Sequence, residues 1–182
     1  MEAWKALFDR LTKHEHETEL FILDNEFSTE LKTTLKLINL EYKLVPPNVH
    51  RRNAAKWAIE IFKNHFLSVL VTLDQSYPID EWDRLISQAE MTLNLLWPSR
   101  CNPALSAHSY LNGSHNFATT LLVLAGTKVK IHRKPKNQAS WGYHGRHGWY
   151  IGPAPEHYMC FKCFIPNTGR EIVTDLEKII KV

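Results

Sequence analysis

Long apolar runs are missing from this 182-residue chain. No stretch approaches the roughly 18 apolar residues that a membrane-spanning helix needs, so no membrane partner is expected. Cysteine is scarce: the three thiols are too few and too scattered for a disulfide framework, and reduced thiols are the simpler reading. Charge of one sign is also lacking, since 22 Lys+Arg stand against 19 Asp+Glu for a net +3. That mild excess does not by itself imply nucleic acid. Met1-Glu2-Ala3-Trp4-Lys5 has no basic region followed by an apolar run and does not read as a signal peptide. An intracellular location is the default, with the nucleus among the options. Internal repeats and low-complexity tracts are absent too. What is present is a hydrophobic content of 44%, enough for a real core, and 10 histidines, whose imidazoles titrate near neutrality.

The apolar spacing reads as helices with two strands, followed by a different texture. Trp4, Leu7, Phe8 and Leu11 recur at helical spacing. Leu20–Leu23 is short and apolar and reads as a buried strand with Asp24 at its C-terminal end. Ser28 can cap a helix carrying Leu31, Leu35 and Ile38, and Glu41–Val45 reads as a second strand stopped by Pro46-Pro47. Ala58, Ile61, Phe62, His65, Phe66, Val69 and Leu73 mark the longest helix. Asp80 is a candidate cap for a helix with Trp82, Leu85, Ile86, Ala89, Leu93 and Leu96 on its core face, ended by Pro98. Asn102-Pro103 starts a shorter helix that Gly113 closes. Beyond Gly126 the sequence turns to glycine, proline, aromatic residues and short alternating runs. Strands are expected at Thr127–Arg133, Trp149–Ile151, Tyr158–Ile165 and Glu171–Thr174.

The order of strand ending in Asp, helix, strand and long helix has chemical meaning. In two-metal phosphoryl chemistry the ions sit about 3.5–4 Å apart, so carboxylates must converge from rigid elements. Leu23-Asp24-Asn25-Glu26 resembles the second-aspartate motif of copia-type retrotransposon integrases. Val45-Pro46-Pro47-Asn48-Val49-His50-Arg51-Arg52-Asn53-Ala54-Ala55 resembles the segment leading into their catalytic helix, and Phe62-Lys63-Asn64-His65-Phe66 continues the likeness. Glu81-Trp82-Asp83, Gln88-Ala89-Glu90 and Thr92-Leu93-Asn94-Leu95-Leu96 are similar to the helix that follows. Gly148-Trp149-Tyr150-Ile151-Gly152-Pro153 is similar to a strand of the next domain. The resemblance covers nearly the whole chain. It implies a ribonuclease H-like α/β core, a small all-β (SH3-like) domain, DNA as substrate, and Mg2+ held by two aspartates and a glutamate.

Two departures from that pattern carry as much weight as the matches. The first aspartate belongs to a strand upstream of the helix that opens this chain, so the resemblance makes the chain a core truncated at its N-terminus. The glutamate position, after Asn53-Ala54-Ala55, holds Lys56, and the offset 56 − 24 = 32 puts Lys56 in the expected region of the helix. One carboxylate of three, Asp24, remains as the family's metal ligand, beside an ammonium that would repel a cation or pair with it. Glu60 lies one turn further along the same face. A one-turn displacement of about 5.4 Å is far outside the roughly 0.5 Å that catalytic placement tolerates, so Glu60 reads as a solvated helix charge.

Other clusters have a functional and a plain reading. His50-Arg51-Arg52 could hold DNA phosphates or form a solvated helix start. Lys128, Lys130, His132, Arg133, Lys134 and Lys136 form a denser patch. Alternation places Lys128, Lys130 and His132 opposite Val129 and Ile131, either as a backbone-binding face or as an edge strand guarded by lysines. Trp141, Tyr143, Trp149 and Tyr150 could stack bases, though a small-domain core suits them better. Cys160-Phe161-Lys162-Cys163, with His157 before it, has no second ligand pair for zinc. Positions three apart in a strand face opposite sides, so a buried strand with two thiols is preferred.

The reading is therefore an α/β chain with an integrase-like core over 1–113 and a small β domain over 126–182. Its function is that of an integrase-like protein, inactive as an enzyme, which binds DNA weakly and without sequence preference, binds no metal, and has a second copy of itself as a further partner. A domesticated DNA-binding or protein-interaction module is the alternative.

Overall fold

The protein is described here from a computed structural model, which places residues 2–13, 20–23, 28–46, 54–132, 140–142, 144–175 and 179–181. Helix α1 spans Glu2–Lys13, strand β1 Leu20–Leu23, helix α2 Thr29–Leu37, strand β2 Glu41–Leu44 and helix α3 Ala54–Val71. A 3-10 helix, Ile79–Leu85, runs into α4, Ile86–Leu96, and α5 follows at Ala107–Asn112. The strands β3 (Lys128–His132), β4 (Gly145–Pro153), β5 (Cys160–Ile165), β6 (Arg170–Asp175) and β7 (Ile179–Lys181) complete the chain. It is a mixed α/β protein. Two compact units are present, Met1–Ile61 and Phe62–Val182.

In the first unit β1 and β2 pair in parallel, Leu20 opposite Glu41 through Leu23 opposite Leu44, and the crossover between them is α2. A parallel pair needs such a crossover. Ser28 caps α2, its Oγ accepting the Leu31 amide at 3.4 Å, and Leu35 is fully buried beneath it. The buried strand expected at Leu20–Leu23 is instead half-covered: Leu20 and Ile22 are exposed, Ile22 at 60%. Among the described residues β1 has β2 as its single strand neighbour, and the face that carries Leu20 and Ile22 stays in water.

The second unit holds an antiparallel sheet in the order β6-β5-β4-β3-β7. Its two faces bury separate clusters. Trp149 and Ile151 of β4 and Phe164 of β5 pack with Phe66, Tyr77, Leu85 and Ala89 of the helical segment. On the opposite face Val129, Ile131, Tyr150, Phe161, Cys163 and Ile165 close against Leu121, Val123 and Ile172. The first cluster explains why the compact unit begins within α3 rather than near Gly126: most of the side chains that cover Trp149 and Phe164 come from residues before 90. His65 Nε2 lies 3.0 Å from Thr92 Oγ1, tying α3 to α4.

Two local expectations are corrected. Asp80 does not cap a long helix. Pro78 precedes a 3-10 helix in which Glu81 has non-helical dihedrals (φ −99°, ψ 25°), and the α-helix proper starts only at Ile86. Asn102 does not start α5. Its Oδ1 accepts the Ala104 amide in a local turn at 3.1 Å, and Ser106 takes the cap, its Oγ accepting the Ser109 amide at 3.0 Å. Both misplacements follow from short polar side chains that serve turns and caps equally well.

Gly148 sits where β4 approaches its neighbours most closely. A Cβ there would lie 2.9 Å from the Phe164 carbonyl oxygen and 2.7 Å from Ile131 Cδ1. The carbonyl belongs to the β5 ladder and cannot yield. Gly148→Ala is expected to lower stability by about 1–3 kcal/mol, the cost of overpacking, read from the midpoint of urea unfolding at unchanged slope. A variant as stable as the parent would mean that the β4–β5 spacing is looser than described.

Candidate nucleic-acid interface

Lys128, Lys130 and His132 alternate with Val129 and Ile131 along β3. The two aliphatic residues are 2% and 1% exposed, so the basic residues occupy the opposite side. Antiparallel pairing sets Lys128 opposite Trp149, Lys130 opposite His147 and His132 opposite Gly145. Residues directly opposite share a face, so His147 joins the stripe. Lys128 lies with its ammonium 5.7 Å from the centre of the Trp149 ring. Its charge is held over the aromatic face while the ring itself stays buried. Lys130 lies along the strand pair: a Cβ on Gly145 would come within 2.8 Å of its Cε. The absence of a side chain at 145 is what lets the lysine stem rest there.

A carboxylate lies near one end of this stripe. Asp74, in the turn after α3, accepts both the Ser76 hydroxyl (2.6 Å) and the Ser76 amide (2.8 Å). Those bonds hold its carboxyl below the usual range, with the Lys128 charge adding to the effect. Lys128 is therefore partly offset at one end, and Lys130 and His132 form the more open end. Arg133, Lys134 and Lys136 continue the patch in sequence but lie outside the described residues, as do His50, Arg51 and Arg52.

The residues of the metal-site reading are distributed unevenly. Asp24, directly after β1, is outside the described residues. Lys56 is the third residue of α3 and, like Glu60 one turn later, is exposed. Among the described residues no three His, Cys, Asp or Glu side chains come together in a way that could hold a metal ion.

The aromatic and cysteine candidates separate cleanly. Trp149 and Tyr150 are core residues, 5% and 1% exposed, whereas Trp141 is fully exposed. Tyr143 lies outside the described residues. Burial pushes the Tyr150 hydroxyl up to about 12, and its oxygen accepts the Val123 amide at 3.4 Å. Cys163 points into the cluster with Phe161 and Ile165, and burial raises its thiol to about 12. Cys160 lies three positions earlier on the other side of the strand, its Sγ donating to the Tyr158 carbonyl at 3.3 Å. Two thiols on opposite faces do not form a zinc pair.

One charged hub had no signal in the sequence. Arg84 binds Glu81 within the 3-10 helix and Glu171 on β6, while its guanidinium lies 4.4 Å from the centre of the Phe164 ring. The two carboxylates raise its pKa. The link to Glu171 spans 87 residues, a separation at which spacing carries no information.

No protein-family model matches the chain, and no curated protein matches it. Among solved structures, a chain from the cryo-electron-microscopy structure of a simian T-cell lymphotropic virus intasome in complex with PP2A regulatory subunit B56 gamma is similar at 13% identity and a TM-score of 0.38. The match takes in 100% of this chain and 65% of that one. An overlay this loose leaves the function to be argued from the residues themselves.

Proposed function

We propose that this chain is a copia-type integrase-like protein that has lost strand-transfer chemistry and keeps a weak, sequence-independent affinity for DNA. The observation that carries the proposal is Lys56. The likeness of residues 45–55 to the segment before an integrase's catalytic helix requires a glutamate directly after Asn53-Ala54-Ala55, and an ammonium stands there instead, in the first turn of α3. The preceding order of parallel strand, helix, parallel strand agrees with a ribonuclease H-like core, and the five-stranded sheet of the second unit with an SH3-like domain. The donor set does not fit Mg2+: Asp24 is a single carboxylate, and Lys56 would oppose a cation at its side. Asp24 and Lys56 are therefore read as the remains of a site. DNA contact falls to the lysines and histidines of β3 and β4, and to the His50-Arg51-Arg52 and Arg133-Lys134 segments.

Phosphate contact by lysine and arginine releases counterions, so the affinity should fall linearly with salt on logarithmic axes, by about 0.9 in slope per phosphate neutralised. Replacing Lys128, Lys130, Arg133 and Lys134 together by Ala is expected to weaken binding to a random duplex and to reduce that slope by about 3.6 if each contacts one phosphate. Fluorescence anisotropy across a salt series reads both. Unchanged affinity and slope in the variant would remove this surface from the proposal.

A further inference from the structure

The stripe on the β3–β4 pair mixes two kinds of cation. Lys128 and Lys130 alternate with His132 on β3, and His147 joins them from β4. Lysine keeps its charge throughout the neutral range, whereas imidazole gains or loses its charge between about pH 5 and 8. The register sets the spacing. His147 stands directly opposite Lys130, and Cβ atoms of such partners are about 4.5–5.5 Å apart. His132 lies two residues beyond Lys130 on the same side of β3. Lys130, His132 and His147 are all exposed, so water, protons and a ligand reach each of them.

The surroundings leave this end of the stripe without an acidic counterpart. Among the described residues no carboxylate forms a salt bridge with Lys130, His132 or His147. Asp74 acts on Lys128, at the other end. On the outer flank of β3, β7 sets Ile180 opposite Lys130 and Lys181 opposite Val129. Within β4, Gly145 pairs with His132 and brings no side chain, Arg146 pairs with Ile131 on the opposite side, and His144 is exposed one residue before the ladder. From the helical segment Tyr77 meets the Trp149 ring edge-on at 5.4 Å, and its hydroxyl donates to the Glu81 carbonyl at 2.9 Å. Protonation of His132 and His147 therefore puts two more positive charges beside Lys130. Like charges directly opposite each other destabilise a strand pair, and an anion laid along the stripe relieves that repulsion.

We propose that this stripe is a proton-gated DNA surface: His132 and His147, once protonated, join Lys130 on the phosphates of a duplex, so that binding tightens as the pH falls through the imidazole range. The gate rests on the DNA-binding reading and adds its regulation. The coupling is reciprocal, since a proton that strengthens DNA binding is itself held more tightly in the complex.

The test is fluorescence anisotropy of a labelled random duplex with the full chain, at about pH 7.5 and about pH 5.5, each across a salt series. In the parent, acidification should tighten binding by roughly two- to thirtyfold, the yield of two exposed ion pairs. It should also steepen the salt slope by about 1.8, at 0.9 for each phosphate gained. The double variant His132→Gln, His147→Gln keeps polar side chains that cannot charge. It should bind as the parent does at the higher pH and lose both gains at the lower one. Lys128→Ala with Lys130→Ala should weaken binding at both. Calorimetry in two buffers of different ionisation heat, midway between the two pH values, should show protons taken up as the parent binds DNA and fewer in the Gln variant. A parent that binds equally at both pH values would overturn the gate and leave DNA binding in place. An acid gain that survives in the Gln variant would overturn it too, by moving the protons to other groups. No binding at either pH would remove the DNA-binding reading itself, and the gate with it.

Discussion

Leu85→Ala should destabilise the second unit by about 2–5 kcal/mol, the cost of emptying a fully buried leucine site. Leu85 is 0% exposed and sits at the end of the 3-10 helix, in the cluster that also holds Phe66, Tyr77, Ala89, Trp149, Ile151 and Phe164. Its loss therefore removes contacts from the helical segment and from the sheet at once. A small domain has only about 5–15 kcal/mol in all, so a deficit of this size is a large part of its stability. Two further results should follow if helices and sheet share one core. The near-ultraviolet signal of Trp149 and the far-ultraviolet helix signal should be lost in a single transition. A fragment starting at Gly126 should fail to fold, because it keeps Trp149 and Phe164 but none of the residues before 90 that cover them. Two separate transitions in Leu85→Ala, or a cooperatively folded fragment 126–182, would show instead that the β domain stands alone.

That contrast marks what could be read from the sequence and what could not. Periodicity found α1, α2 and α3, and Ser28 caps α2 as its position before an apolar repeat suggests. The alternation of Lys128, Val129, Lys130, Ile131 and His132 set the two sides of β3 correctly, because a period of two admits only one arrangement. The texture change near Gly126 suggested a domain boundary, but composition reports local structure and not which surfaces meet. Trp149 and Tyr150 are adjacent in sequence and lie in different clusters on opposite faces, so calling both core was possible while the helical half of that core was not visible. Asp80 looks like a helix start, yet the backbone turns as a 3-10 helix there, since a short polar side chain serves turns and caps alike. The bond from Gln88 Nε2 to the Val123 carbonyl has no sequence signal, since its partners are 35 residues apart. Asp24, His50, Arg51, Arg52, Arg133 and Lys134 keep the standing that the sequence gives them, because they lie outside the described residues.

Incubated with labelled element-end DNA and Mg2+ or Mn2+, the 182-residue polypeptide should yield no cleaved or joined product. Two-metal strand transfer relies on two ions whose separation of about 3.5–4 Å is set by converging carboxylates. The polypeptide brings Asp24 after β1 and Lys56 on α3. One carboxylate cannot hold two divalent ions, and the Lys56 ammonium, in the first turn of α3, would disfavour a cation at its side. Lys56→Glu should not restore product, because Asp24 with one added carboxylate is still one short of the three that the resemblance implies. It should nonetheless strengthen Mn2+ binding, since a repelling charge is exchanged for an oxygen ligand in the region of Asp24. Isothermal titration separates the two effects. The parent chain should give no saturable heat with Mn2+, Lys56→Glu should give a single weak site, and adding Asp24→Asn to Lys56→Glu should remove it. A Lys56→Glu chain that binds Mn2+ no better than the parent would mean that α3 does not face Asp24, and the integrase reading of both residues would fall. Metal-dependent product from the parent, lost in Asp24→Asn and kept in Lys56→Ala, would instead make this an active enzyme with its remaining ligands elsewhere, Glu60 first among the residues to replace.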